Sequence, residues 1–84
     1  MLYQVEVIIS LKKGIRDPEA ETIHKHLILR KGFDSIKSVR AGKYLLFSVD
    51  TDSPEKALEI VKTMCEKLRI YNPVIHDIEV RLSG

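Results

Sequence analysis

Three kinds of side chain in these 84 residues could do chemistry. His24 and His26 could ligate a metal, and Cys65 could act as a nucleophile. The basic glycine turns Lys12-Lys13-Gly14 and Arg40-Ala41-Gly42-Lys43 could hold an anion. Each falls short by its own spacing. His24 and His26 are two apart on a predicted helix and point to different faces, whereas helical metal pairs sit three or four apart. Cys65 lies on the apolar face of a predicted helix, with no base or cationic surround to make a thiolate. Each basic turn has a single glycine and lacks the glycines and Ser/Thr of a phosphate loop. Glu55, Glu59 and Glu66 alternate with lysines as a solvated helix face does, so no acid–base pair stands out.

The elements that must position these residues follow from periodicity and punctuation. Tyr3, Val5, Val7, Ile9 and Leu11 alternate with Gln4, Glu6, Ile8, Ser10 and Lys12, which predicts a strand with one buried face, ended by Gly14. Asp17 is an N-cap, Pro18 suits the first helical position, and Glu19 and Glu21 favour the positive helix end. A helix over 18–31 is predicted, with Ala20, Ile23 and Leu27 as its apolar stripe. Gly32 ends it in the left-handed conformation.

Residues 36–50 read as one bent strand or a pair of strands, interrupted by Gly42. Leu45, Phe47 and Val49 share one face, and Tyr44, Leu46 and Ser48 the other. Ser53-Pro54 starts a second helix over 54–68, with Ala57, Val61, Met64 and Leu68 as its stripe and Leu58 and Cys65 alongside. Asn72-Pro73 blocks further helix, and Ile78, Val80 and Leu82 form a last strand. The fold class is α+β: strand, helix, long bent strand or strands, helix, strand, as a small antiparallel sheet with two helices in a single domain over 1–84.

Composition narrows the partners. Fourteen Lys and Arg balance twelve Asp and Glu, for a net charge of +2, and do not predict a nucleic acid. Tyr44 and Phe47 face opposite sides and make no base-stacking pair. No apolar run approaches membrane-spanning length, and no signal-type segment precedes the first strand. One cysteine fits a reducing compartment, so a cytoplasmic location is expected. A core this small gains from self-association. Ile8 and Leu46 leave apolar groups on the second sheet face, which predicts a homodimer or a tetramer that buries that face or extends the sheet.

The order of the punctuated segments resembles a family. Leu11-Lys12-Lys13-Gly14-Ile15 with Asp17-Pro18-Glu19 and Thr22-Ile23, Leu29 through Gly32-Phe33, Val39-Arg40-Ala41-Gly42-Lys43, Met64-Cys65-Glu66-Lys67-Leu68 and Asn72-Pro73-Val74-Ile75 are similar to the PurS small subunits of phosphoribosylformylglycinamidine (FGAM) synthase. The likeness runs from Val5 to about Glu79. Three departures are Ala20 in place of a glycine, Leu68-Arg69-Ile70-Tyr71 in place of a shorter apolar run, and His76-Asp77-Ile78 before the last strand.

The resemblance implies a role in de novo purine synthesis. Formylglycinamide ribonucleotide, ATP and glutamine become FGAM, ADP, phosphate and glutamate. A PurL-type synthetase subunit carries ATP and magnesium, and a PurQ-type glutaminase releases ammonia. The small subunit carries no catalytic residue, cofactor or metal, and it dimerises and bridges the other two. Arg40 and Lys43, projected by a bend at Gly42, are the implied synthetase contacts. Lys13, Gly14, Asp17 and Pro18 form a second contact loop, and Gly42, Asn72 and Pro73 shape turns. The plainer reading, in which these residues only make turns, stays open beside it. So does a ferredoxin-like, small-molecule-binding regulatory domain.

Overall fold

The alternation in the first ten residues becomes the central strand of the sheet. In the computed structural model, which describes residues 1–83, β1 (Leu2–Leu11) is flanked by β2 (Gly42–Asp50) and β3 (His76–Leu82) in the order β2-β1-β3. Both pairings are antiparallel. Val5 faces Phe47 and Leu82, Val7 faces Leu45 and Val80, and Ile9 faces Lys43 and Ile78. The register puts the apolar members of all three strands on one side, as a period of two requires.

One helix covers that side. α2 (Pro54–Lys67) starts where Ser53 Oγ accepts the Lys56 N–H at 3.2 Å, with Pro54 in the first turn. Ala57, Val61 and Cys65, spaced by four, are fully buried against Val5, Val7 and Ile9. Each of these valines stabilises the fold by roughly 1.5–3 kcal/mol. Burial pushes the Cys65 thiol pKa up, so it is a core thiol rather than a nucleophile.

The buried stripe is rotated from the predicted one. Leu68 is 67% exposed and Met64 only half-buried. The reason lies in how α2 stops. Arg69 takes a left-handed φ of 54°, its N–H reaches the Glu66 carbonyl at 3.4 Å, and the Ile70 N–H reaches the Cys65 carbonyl at 3.1 Å. This paired closure turns the chain so that Ile70, not Leu68, packs on the core. An arginine there carries a conformational cost that glycine lacks. Arg69→Gly should therefore stabilise the protein by about 0.5–1 kcal/mol, read as a higher urea midpoint. An unchanged or lower midpoint would show that the Arg69 side chain contributes more than its backbone costs.

The second sheet face carries Ile8 and Leu46 as expected, with polar side chains between them. Leu46 is exposed there, but the centre is a polar lattice. Glu6 accepts from Arg81 Nε at 2.7 Å and from the Tyr44 hydroxyl at 3.0 Å, and Gln4 and Ser48 exchange hydrogen bonds. The Arg81 and Tyr44 donors hold the Glu6 carboxyl below the usual glutamate range.

The first helix forms but does not join this core. α1 (Pro18–Thr22) continues through wide π-helical turns (Ile23–Ile28) and a 3-10 turn (Leu29–Lys31). Gly32, at φ 88°, closes it, with the Gly32 and Phe33 N–H groups reaching the Leu29 and Ile28 carbonyls. Of the expected stripe only Ala20 is buried, and Leu27 is exposed. None of residues 18–31 packs on the sheet or on α2. The expected long strand is likewise shorter. Gly42 begins β2 instead of bending it, and residues 36–41 are irregular and outside the sheet, tied to the first helix where His24 meets the Ile36 carbonyl. The sheet has three strands, so residues 36–50 supply one strand and a free strap.

Candidate subunit-contact site

All three punctuated turns meet at one end of the sheet, where β1 ends and β2 and β3 begin. Asp17 is the pin. Its Oδ1 accepts the Ala20 N–H at 3.1 Å and caps the first helix, while its Oδ2 accepts the Ala41 N–H at 3.2 Å. One carboxylate thus joins the Lys13-Gly14 loop to the Arg40–Lys43 segment. Pro18 starts the helix behind it, and Gly14, at φ 90°, makes the turn that brings Asp17 into place. The third turn closes on the same end. Asn72 Oδ1 accepts the Val74 N–H at 3.0 Å, and the Asn72 carbonyl accepts the Ile75 and His76 N–H groups. Lys12 then ties the turns together, through its N–H to the Ile75 carbonyl at 2.8 Å and its ammonium to Asp77 at 3.3 Å.

Arg40 and Lys43 do not project together. Arg40 is exposed but folds back along the surface, where its Nη2 donates to the Leu11 carbonyl at the end of β1. It lies with Lys13, Gly14 and Asp17 in an open cleft of about 550 Å³. Lys43 sits opposite Ile9 and borders a separate hollow of about 220 Å³ beside Glu19, Gly42 and His76. Asp17 lines both.

Arg16, His24 and Lys37 join the cleft; Arg16 and Lys37 carried no signal in the sequence, and His24 stood out there only as a metal candidate. Arg16 pairs with Glu21 at 3.2 Å, and Lys37 donates to the Asp34 carbonyl at 2.8 Å. His24 Nε2–H donates to the Ile36 carbonyl at 2.6 Å and staples the strap to the helix, so His24 is structural while His26 is exposed. The cleft therefore presents the cations Lys13, Lys37 and Arg40, none paired with a carboxylate among the described residues. Such a surface suits an acidic or carbonyl-rich partner. Among the described residues no three His, Cys, Asp or Glu side chains cluster as metal ligands, and no helix is long and apolar enough to cross a membrane.

The three turns thus form a pinned, basic sheet end on a small α+β frame. The family model PurS, described as phosphoribosylformylglycinamidine (FGAM) synthase, matches residues 4–84. The chain belongs to this family, and it is similar along its whole length to relatives of known kind. It is 41% identical over 82 residues to the phosphoribosylformylglycinamidine synthase subunit PurS of Methanocaldococcus jannaschii, covering 98% of this chain and 96% of that one. The crystal structure of PurS from that organism superposes with a TM-score of 0.83 at 38% identity, covering 100% and 98% of the two chains. A chain of the PurLQS structure from Thermotoga maritima superposes with a TM-score of 0.88 at 37% identity, covering 99% of each. These matches favour the bridging-subunit expectation over the regulatory domain.

Proposed function

We propose that this chain is the non-catalytic bridging subunit of a glutamine-dependent FGAM synthase, joining a PurL-type synthetase to a PurQ-type glutaminase. The observation that carries the reading is whole-length family membership together with a structural match to a chain of a PurLQS complex. In this reading ATP and magnesium belong to the synthetase, and the free thiol of Cys65 suits the cytoplasm. Ammonia released at one site must reach the activated substrate before it is protonated or lost, which requires the two sites to be held together and shielded from water. A small rigid frame supplies that contact without chemistry of its own.

The sheet end is the proposed contact. Lys13, Gly14, Asp17 and Pro18 form one lip, and Arg40 and Lys43 the other, while Gly42, Asn72 and Pro73 set the turns. The defining experiment measures glutamine-dependent ATP turnover with formylglycinamide ribonucleotide, using the cognate synthetase and glutaminase with and without this chain. Activity is expected only with all three, and full activity without the chain rejects the reading.

The contact itself is tested by Lys13→Glu with Lys43→Glu. Neither ammonium makes a hydrogen bond among the described residues, so the fold should survive. Reversing two interface charges should weaken complex formation by about 30-fold or more. Unchanged co-elution of the double variant would remove the sheet end from the interface. Arg40→Glu is less clean, because it also breaks the tie to the Leu11 carbonyl.

A further inference from the structure

The cleft at the sheet end holds more cations than carboxylates neutralise. Five cations line its volume of about 550 Å³. Lys12 is matched by Asp77, and Arg16 by Glu21. Lys13, Lys37 and Arg40 remain, against Asp17 alone. Both Asp17 oxygens already accept backbone N–H groups, from Ala20 and Ala41. The cleft therefore keeps a surplus of two positive charges, as many as the whole chain, whose net charge is +2. The rest of the chain is balanced, so its net charge is concentrated at one place.

These donors are held in place. Arg40 Nη2 is fixed on the Leu11 carbonyl, which leaves the rest of its guanidinium fork to donate. Lys37 Nζ is fixed on the Asp34 carbonyl at 2.8 Å and keeps further protons to give. His24 staples the strap to the first helix, and Asp17 ties it to the Lys13 loop. Along the strap, the backbone N–H groups of Lys37, Ser38, Val39 and Arg40 donate no hydrogen bond to the backbone among the described residues. All four of these residues line the cleft. Donors fixed beforehand lose little freedom when an anion arrives. Beside them Ile15 and Val39 form a small apolar wall. No aromatic side chain lines the cleft, so nothing there stacks a base.

We infer that this cleft is a binding site for a phosphoryl dianion, taken as free phosphate or as the phosphate end of a small ester. A phosphate monoester carries about −1.5 to −2 charges at pH 7 and presents three acceptor oxygens from one centre. That matches the surplus of two charges, with Lys13 on one lip and Lys37, Arg40 and the strap N–H groups on the other. A carboxylate brings a single charge and two oxygens, and would leave donors unused. In an ester, the organic part lies on Ile15 and Val39. A phosphate held there bridges the two lips that Asp17 joins, so binding should also raise the melting temperature. The site stands on the charges and donors of the cleft and not on the bridging reading.

Calorimetric titration of the full chain with inorganic phosphate, phenyl phosphate and succinate tests it at low salt. Both phosphates should bind saturably. Tighter phenyl phosphate marks an ester site, and equal affinities mark a site for free phosphate. Succinate carries its charge on two separate carboxylates and should bind about tenfold more weakly. Lys13→Met and Lys37→Met should each weaken phosphate binding about tenfold, with far-UV circular dichroism unchanged. The Lys13 ammonium makes no hydrogen bond among the described residues, so Lys13→Met decides the matter if Lys37→Met loosens the Asp34 turn. Lys62→Met with Lys67→Met removes charge from exposed positions of α2 and should change the affinity less than about twofold. The amide resonances of residues 37–40 should shift as phosphate is added. Binding that never saturates, an equal loss in the α2 variant, or unmoved strap amides would each mean an adventitious ion only and overturn the site. Succinate as tight as phosphate would overturn it too, and would assign the cleft to carboxylates of an acidic protein segment. A chain that binds no phosphate yet still restores three-subunit turnover would sink the site alone and leave the bridging function standing.

Discussion

Asp17→Ala should lower stability by about 2–4 kcal/mol, a large share of what a domain of this size has. Two hydrogen bonds are lost together. Removing the N-cap to Ala20 costs about 1 kcal/mol, and a hydrogen bond from a carboxylate to a backbone N–H, here Ala41, contributes about 1.5–3 kcal/mol. The Ala41 N–H is left unpaired in a partly buried place, so the loss is not repaired by water at full value. Asp17→Asn separates the contributions. Its side-chain oxygen can still cap the helix, but its amide cannot accept from Ala41, so about half the loss should return. Urea denaturation at a fixed protein concentration reads both. A functional effect should accompany the structural one. Freed from Ala41, the Lys13 loop and the Arg40 segment no longer present one surface, and co-elution with the partner subunits should fall. Loss of stability below 1 kcal/mol would show that the two lips are held by something other than Asp17.

Local rules were legible in the sequence, and tertiary destinations were not. Asp17, Ser53 and Gly32 announced caps because a cap is decided within four residues, and each sits where its chemistry says. The phase of β1 was equally plain, since alternation states which side chains share a face. Periodicity does not state what covers a face. The stripe on residues 18–31 reads as buried, yet of it only Ala20 is, and Leu27 stands in solvent. Gly42 marks a backbone constraint, but whether it bends a strand or begins one depends on Ile9, more than thirty residues away. Arg40 was expected to project from a bend at Gly42, but Gly42 begins a strand, and the acceptor Arg40 finds is a backbone carbonyl that has no sequence signature. Arg69 in the left-handed region was unreadable for the same reason. The residue type argues against the conformation, and only the packing of Ile70 and Tyr71 on the core selects it.

Gly42→Ala should be the most damaging single methyl group in the chain. A Cβ at this position would stand 2.6 Å from the carbonyl oxygen of Ile9 and 3.5 Å from its carbon. That oxygen belongs to the backbone of the central strand, paired on both sides, so it cannot swing away as a long side chain would. The strain must be taken by β1, β2 or the pairing between them. Overpacking that moves backbone costs about 1–3 kcal/mol, and the upper part of that range is expected here, lowering the melting temperature by roughly 10 °C. Gly14 gives the internal comparison. A Cβ there meets nothing within 4 Å, and the only cost is the left-handed φ of 90°, about 1–2 kcal/mol for Gly14→Ala. The two glycines thus differ in cause. Gly14 is needed for a conformation, and Gly42 for room. A d-alanine at position 14, introduced by chemical synthesis, should restore stability there, since it takes positive φ without strain. The same residue at 42 should not, because Gly42 has no positive φ to relieve. A melting temperature unchanged by Gly42→Ala would show that the close approach to Ile9 is not what excludes a side chain at the start of β2.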